Sequence, residues 1–314
     1  MNLAPIIIFV YNRPEHTQKT LEALAANELA SDSILYIFAD GAKDNASEET
    51  LEKIKQTREI AKSKLWCKDV IVVEKETNSG LANSIIQGVT QIVNKHGKII
   101  VLEDDLITSK YFLKYMNDAL TTYENTLNVA CISAYIYPVE NLPELFFIKG
   151  ADCWGWATWK HGWDLFQENG KKLLSELEHK KLTHAFDFNS AYPYTQMLKD
   201  QIEKKNDSWA IRWYASAFLK NKLCLYPSKT LVKNIGFDGS GTHSGSINIH
   251  ESQTNETPLI IQYLAPKENL VALNLISTYF KKLKEKNNTY IRKSNLKKLL
   301  KAIIPSFIIR FIKK

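Results

Sequence analysis

The chain has no Walker A sequence and no GxGxxG after its first apolar run, so a P-loop NTPase or a dinucleotide-binding dehydrogenase would lack its phosphate-binding element. Cysteine is scarce: Cys67, Cys131, Cys153 and Cys224 are the only four in 314 residues, with no CxxC pair and no clustered histidines. Buried free thiols are expected rather than a disulfide framework or a zinc site, and with them a reducing compartment. The N-terminus lacks a basic segment, and the apolar run from Ala4 to Val10 is too short for a signal sequence or a membrane span. There is no internal repeat and no Pro/Ser-rich linker.

What is present describes a folded domain of ordinary composition, 45% hydrophobic and 24% charged, with more aromatic surface (14 Tyr, 13 Phe, 7 Trp) than a scaffold needs. The net charge of +7 resembles a nucleic-acid signal until it is located. From Lys281 onward 12 Lys or Arg face the single acid Glu285, a net +11, which leaves −4 to residues 1–280. A mildly acidic body with a basic end argues against a nucleic-acid groove and for a local electrostatic attachment.

The first half alternates strand and helix. Strands are predicted at Pro5 to Tyr11, Ile34 to Ala39, Val70 to Glu74 and Ile99 to Leu102, and helices at Glu15 to Asn27, Ser47 to Lys64, Ala82 to Asn94 and Ser109 to Tyr123. This is a doubly wound α/β pattern in which each strand ends in polar residues: Asn12-Arg13-Pro14, Asp40-Gly41, Asn78-Ser79-Gly80, and Glu103-Asp104-Asp105. Parallel strands bring such ends to one sheet edge, where open α/β sheets bind ligands. Three adjacent carboxylates are costly to bury, so they belong at that crevice, where hard oxygens suit Mg²⁺ or Mn²⁺ carrying a phosphorylated substrate. A solvated acidic turn opening the next helix is the alternative. Asp40 is placed to accept from a ribose or base, Arg13 to approach a diphosphate, and Asn78 to bond base or sugar; singly, each also reads as a turn, a helix start or a loop.

Ile7-Ile-Phe-Val-Tyr-Asn-Arg-Pro14, Phe38-Ala-Asp-Gly41, Asn78-Ser-Gly-Leu-Ala82, Leu102-Glu-Asp-Asp105 and Trp154-Gly-Trp156, in this order, resemble a GT-A glycosyltransferase. The likeness is to bacterial family 2-like enzymes akin to the N-acetylglucosaminyltransferase I type, over roughly residues 4–245. It implies a GT-A, Rossmann-like, mainly parallel sheet flanked by helices, and a metal-dependent inverting hexosyl- or N-acetylhexosaminyltransferase. The donor would be a nucleotide sugar, UDP-linked, and the acceptor a glycan or lipid-linked glycan of surface polysaccharide biosynthesis. The acid triplet becomes the variant DxD motif, with Asp105 the ligand of Mn²⁺ or Mg²⁺ and Glu103 and Asp104 facing the nucleotide sugar beside Tyr11, Asn12, Arg13, Asp40 and Asn78. In Asn206-Asp-Ser-Trp209 the segment is similar to the family's acid-acid-Trp catalytic element, with Ser208 at the second acid position; Asp207 is the expected base and Asp152 the reserve. Asp207 also reads as a plain N-cap. Trp154, Gly155 and Trp156 are candidate sugar contacts, with core packing as the alternative. His243, in the glycine-rich loop, is a candidate by the same resemblance for a final metal or phosphate contact, with a solvated loop histidine as the alternative. A nucleotidyltransferase acting on a sugar phosphate would use the same carboxylates, and a non-catalytic glycan-binding protein would use only the tryptophans and the tail.

Past residue 128 short strands are expected at Val129 to Ser133, Leu145 to Ile148, Leu223 to Tyr226 and Leu231 to Lys233, with a helix at Ser208 to Lys220. The expected organisation is a nucleotide-sugar half at 1–128, an acceptor and catalytic half at 129–257, and a helical basic tail at 258–314. In that tail Leu296, Leu299, Leu300, Ile303, Ile304, Phe307, Ile308, Phe311 and Ile312 recur at three- and four-residue steps among lysines. Such a helix is suited to an anionic membrane surface, which predicts a peripheral protein on the cytoplasmic face; docking onto the body or another subunit is the competing reading.

Overall fold

A computed structural model describes the backbone of residues 3–239 and 253–303, with side chains described through residue 286. The first half runs β1 (Ile6–Val10), α1 (Pro14–Ala25), β2 (Ile34–Ala39), α2 (Glu48–Lys62), β3 (Asp69–Glu74), α3 (Leu81–His96) and β4 (Lys98–Glu103). The second half continues with β5 (Leu106–Thr108), α4 (Phe112–Thr122), β6 (Val129–Ser133), β7 (Leu145–Ile148), β8 (Trp156–Trp159), α5 (Lys160–Trp163), α6 (Gly170–His179), α7 (Thr183–Phe186), α8 (Tyr194–Ile202), α9 (Trp209–Leu219), β9 (Leu223–Pro227), β10 (Val232–Asn234) and α10 (Leu270–Ile303).

Local chemistry sets the boundaries. Every side chain of β1 is buried, as a strand covered by helices on both faces requires. Pro14 opens α1, where a missing N–H costs nothing. Ser47 caps α2 by accepting from Thr50 N at 3.2 Å, with Glu48 and Glu49 in the first turn of the helix dipole. Gly97, at φ +79°, ends α3 in the left-handed conformation that glycine adopts without strain.

Eight strands form one sheet in the order β3-β2-β1-β4-β8-β6-β9-β7. The first four are parallel, which brings the ends of β1, β2 and β4 to one edge. β8 is inserted antiparallel between β4 and β6, with Trp156 opposite Val101 and Trp159 opposite Lys98. Residues 152–155 therefore lead into β8 from the edge at which the acid triplet leaves β4. A second, two-stranded antiparallel sheet pairs Asn234 of β10 with Leu106 of β5, which steers residues 235–238 across the same edge. The mixed, mainly parallel sheet flanked by helices is the GT-A, Rossmann-like architecture that the sequence predicts.

The boundary at residue 257 needs correction. Tyr123 Oη donates to Leu264 O and accepts from Leu264 N at 2.9 Å, Asn269 N donates to Phe147 O at 2.7 Å, and Ala272, Ile276 and Phe280 of α10 are buried at four-residue steps. An apolar stripe with that period must pack, so the first turns of α10 belong to the body's core. The tail residues that carry the amphipathic pattern, 294–314, lie outside the described side chains. Among the described residues no helix is long and apolar enough to cross a membrane.

Candidate active site

The acid triplet emerges from β4 beside the end of β1, and Arg13 holds it. Arg13 Nε donates to Asp104 Oδ2 at 3.2 Å, its Nη2 meets Asp104 Oδ1, and its Nη1 stands 3.0 Å from Asp105 Oδ2. Burial alone would lower the pKa of Arg13, but Asp104 and Asp105 raise it above the ordinary value, so the guanidinium stays charged. Burial raises the pKa of Glu103, with Asp105 and Asp104 adding to the effect against Arg13; Asp104 is likewise raised by burial, with Arg13 opposing and Asp105 reinforcing. Three carboxylates thus share one cation, and their mutual repulsion is only partly relieved.

The segment after β10 closes over this cluster. Ile235 N donates to Asp105 O at 2.8 Å, and His16 Nε2 lies 3.2 Å from Asp238 Oδ2. Gly236 is required here because a Cβ would collide with the Asp105 carboxylate and press on Arg13. The sequence reading missed this crossing; the only signal for it was a glycine-rich stretch after a short strand. His243 lies outside the described residues.

At the end of β2, Asp40 is 8% exposed and fully engaged with backbone. Its Oδ1 accepts from Gly41 N and Ser79 N at 3.1 and 3.0 Å, and its Oδ2 from Ser79 N and Gly80 N at 3.1 Å each. Asn78 Nδ2 donates to Gly41 O at 2.9 Å, and its Oδ1 accepts from Gly80 N at 3.2 Å. Arg58 Nη2 braces the same corner by donating to Lys75 O at 2.6 Å. Asp40 and Asn78 therefore fasten the loop after β2 to the start of α3. Beside that corner opens a cleft of ≈590 Å³ lined by Tyr11, Asn12, Lys43, Asp44, Asn45 and Ser47, among others. Tyr11 and Asn12, candidates from the sequence, line this cleft together with Lys43 to Ser47, which the sequence reading does not single out although a polar run directly after a strand-end Asp-Gly marks them. Arg13, which the sequence places near a diphosphate, has its guanidinium on the two aspartates.

On the other side of the triplet a cavity of ≈260 Å³ is lined by Tyr135, Tyr137, Asp152, Trp154, Tyr192 and Tyr214, among others. Asp152 Oδ1 accepts from Tyr137 Oη at 2.5 Å and Oδ2 from Tyr226 Oη at 2.7 Å. Burial raises its pKa and the two phenols oppose the rise. Trp154 faces this cavity, edge-on to Tyr135 at 4.5 Å between ring centroids, and touches Phe237 at 5.7 Å. Gly155, at φ +66°, makes the turn into β8, with no room for a Cβ against Val232.

Trp156 must be reassigned. It is 1% exposed in the middle of the sheet and packs against Trp209, Trp163 and Trp213 at 5.4, 5.8 and 5.9 Å, so core packing accounts for it and it offers no surface to a sugar. Asp207 is not the N-cap of α9. Ser208 is, its Oγ accepting from Ile211 N at 3.2 Å, which leaves the Asp207 side chain 67% exposed with Arg212 Nη2 at 3.8 Å.

Among the described residues no group of three His, Cys, Asp or Glu is placed to enclose a metal on its own. The triplet's donor chemistry nevertheless fits a divalent ion: Mg²⁺-type sites use one or two carboxylates and complete their coordination with substrate phosphates. Charge balance also favours it, since the guanidinium of Arg13 pairs with Asp104 and Asp105 and the adjacent Glu103 has no ion pair among the described residues.

Residues 6–192 match the family described as Glycosyl transferase family 2. No curated protein matches the chain. Among solved structures, mannosyltransferase PcManGT from Pyrobaculum calidifontis, in complex with GDP-Man and Mn²⁺, is 11% identical with a TM-score of 0.33, over 69% of this chain and 69% of its own. A UDP-glucose pyrophosphorylase complexed with UDP-glucose is 14% identical with a TM-score of 0.37, over 72% of this chain and 90% of its own. S. aureus TarS is 18% identical with a TM-score of 0.29 over 42% of this chain, which spans only 21% of the TarS chain.

Proposed function

The chain belongs to glycosyl transferase family 2 and is a glycosyltransferase; from that premise we propose that it moves a sugar from a UDP-linked donor to a glycan or lipid-linked acceptor, with inversion, in surface polysaccharide biosynthesis. The observation that carries this reading is the order of features along one sheet edge. The cleft of Tyr11, Asn12 and Lys43, the Arg13-bound acid triplet, and the cavity of Asp152 and Trp154 follow one another. That is the sequence of nucleoside, diphosphate and acceptor that a direct displacement needs.

Tyr11 and Asn12 form a wall for the nucleoside, and Asp40 and Asn78 keep the cleft's shape through the loop they fasten. Asp105 is the residue to hold Mn²⁺ or Mg²⁺, with Glu103 and Asp104 beside it. A divalent ion bound there offsets the negative charge that gathers on a departing diphosphate. Arg13 keeps the aspartates in place. Asp207, exposed because Ser208 has taken the capping role, is the base for the acceptor hydroxyl. As the hydroxyl oxygen bonds to the anomeric carbon its proton passes to the carboxylate, while the bond to the diphosphate breaks and its electron pair leaves with the nucleotide. The basic residues beyond 280 support peripheral attachment to an anionic membrane on the cytoplasmic face.

Incubation with UDP-sugars and with nucleoside triphosphates tests the reaction class. Release of nucleoside diphosphate supports transfer of sugar, and pyrophosphate release supports a nucleotidyltransferase. Asp105→Ala, checked to be folded, should lose metal-dependent donor turnover, and wild-type turnover in that variant would end the assignment.

A further inference from the structure

We propose that the tyrosine-walled cavity around Asp152 is the acceptor subsite and takes a single uncharged pyranose ring, one hydroxyl of which donates to the Asp152 carboxylate. The inference rests on the glycosyl-transfer reading and names the acceptor chemistry that reading leaves open.

Size comes first. At ≈260 Å³ the cavity lies below the roughly 300–1,000 Å³ of sites for drug-sized ligands, so it suits one sugar unit rather than an extended glycan. The walls match that guest. Tyr135, Tyr137, Tyr192, Tyr194, Tyr214 and Trp154 present flat apolar faces with polar tips, which suit a ring whose faces are C–H and whose rim is hydroxyl.

Charge narrows the class further. Among the described residues Asp152 is the only acid lining the cavity, and no Lys or Arg lines it, so a phosphorylated or carboxylated ring would meet repulsion with no compensating cation there. Asp152 is already hydrogen-bonded by Tyr137 Oη and Tyr226 Oη, one to each oxygen. A carboxylate has about four acceptor positions, so it retains capacity for a neutral O–H donor. Tyr194 Oη lies 3.1 Å from Tyr137 Oη and extends this network along the wall.

The cavity is also built to hold its shape. Phe280 of α10 packs at 4.7 Å against both Tyr137 and Tyr192, so the helix that the sequence reads as tail braces two of the tyrosines that line the cavity. Its front wall is Trp154, which touches Phe237, the neighbour of the Gly236 that rests on Asp105. A ring seated there is linked through Trp154, Phe237 and Gly236 to the acid triplet, where the sugar to be transferred is expected.

The test uses the full chain without donor. Methyl pyranosides of glucose, galactose, mannose, N-acetylglucosamine and glucosamine are screened by saturation-transfer NMR, and UDP binding with Mn²⁺ is followed on the same samples. At least one neutral pyranoside should bind. Ala210→Phe, which fills the cavity from α9, should abolish binding, and Asp152→Asn should weaken it about tenfold or more, the usual effect of losing a hydrogen bond to a charged group. Both variants should keep wild-type UDP affinity, which also reports that they are folded. Absence of binding across the panel, binding that survives both substitutions, or preference for the charged glucosaminide would overturn the proposal. Pyranoside binding by a wild-type protein that fails to bind UDP would support the subsite and count against the donor reading.

Discussion

Replacing Asp40 by Ala separates a fastening role from a ligand contact. The carboxylate accepts from the three backbone N–H groups of Gly41, Ser79 and Gly80 at 3.0–3.1 Å, in a corner where Asp40 itself is 8% exposed. A buried donor left without its partner costs about 1–3 kcal/mol. Three such donors, allowing for loop relaxation and entry of water, give a loss of about 3 kcal/mol or more. For a chain of 314 residues that is a fall in Tm of roughly 4 °C or more. Asp40→Asn keeps one acceptor oxygen and should lose about half as much. Differential scanning calorimetry reads the loss directly, and UDP binding on the same samples shows whether the cleft of Tyr11 and Lys43 loosens with it. A variant that melts within ~1 °C of wild type yet no longer binds UDP would refute the reasoning, because Asp40 would then be a ligand contact that stabilises little.

Arg13→Met removes the one cation shared by Asp104 and Asp105, and breaking a largely buried pair in this way should destabilise the protein by about 3–5 kcal/mol. Mn²⁺ should recover part of that loss in a thermal shift assay, and no recovery would argue against a cation at the triplet. Asp152 tests the sign of a buried charge. Its folded pKa is raised by burial, so the stability it contributes is present below its unfolded pKa and is lost as the pH rises through the folded one. Asp152→Asn has no such loss, and its Tm relative to wild type should rise as the pH climbs above about 4, the ordinary unfolded value of an aspartate; a flat or falling difference contradicts the assignment. Deleting residues 294–314 should leave Tm unchanged and release the protein from anionic vesicles, whereas ending the chain at residue 268 removes Ala272, Ile276 and Phe280 from the core and should unfold it. Unchanged sedimentation with vesicles rejects the membrane role of the tail.

The contrast between what was legible in the sequence and what was not follows from how local each constraint is. β1 to β4 and their helices were legible because period, length and caps are written within each segment, as in the all-buried Ile6–Val10 strand and the Ser47 cap. β8 was not. Trp156–Trp159 sits inside an aromatic run with no strand period, and only its pairing with residues 98–101 and 131–133 makes it a strand. The cap of α9 was ambiguous by one position: Asp207 and Ser208 are both good caps, and the frame in which Ser208 wins is also the one that exposes Asp207.

The same distinction separates the two halves of the candidate site. Ionised groups are costly to bury unpaired, so a run of three acids after an apolar strand has few places to go, and Glu103 to Asp105 lie at the crevice for that reason. Their partner Arg13, 91 residues away from Asp104, followed only from the convergence of strand ends. Aromatic residues carry no such restriction. Trp156 in the core and Trp154 on the cavity are two residues apart, equally apolar in the sequence, and divided by the Gly155 turn that leads into a strand which could not be recognised without its neighbours. The cavity's tyrosines come from separate segments around residues 135, 192 and 214, and each satisfies its own surroundings as well in a core as around a ligand. In this chain the charged cluster is written in local sequence, while the tyrosine-walled cavity exists only once the chain has folded, because its lining is assembled from segments with no common local signal.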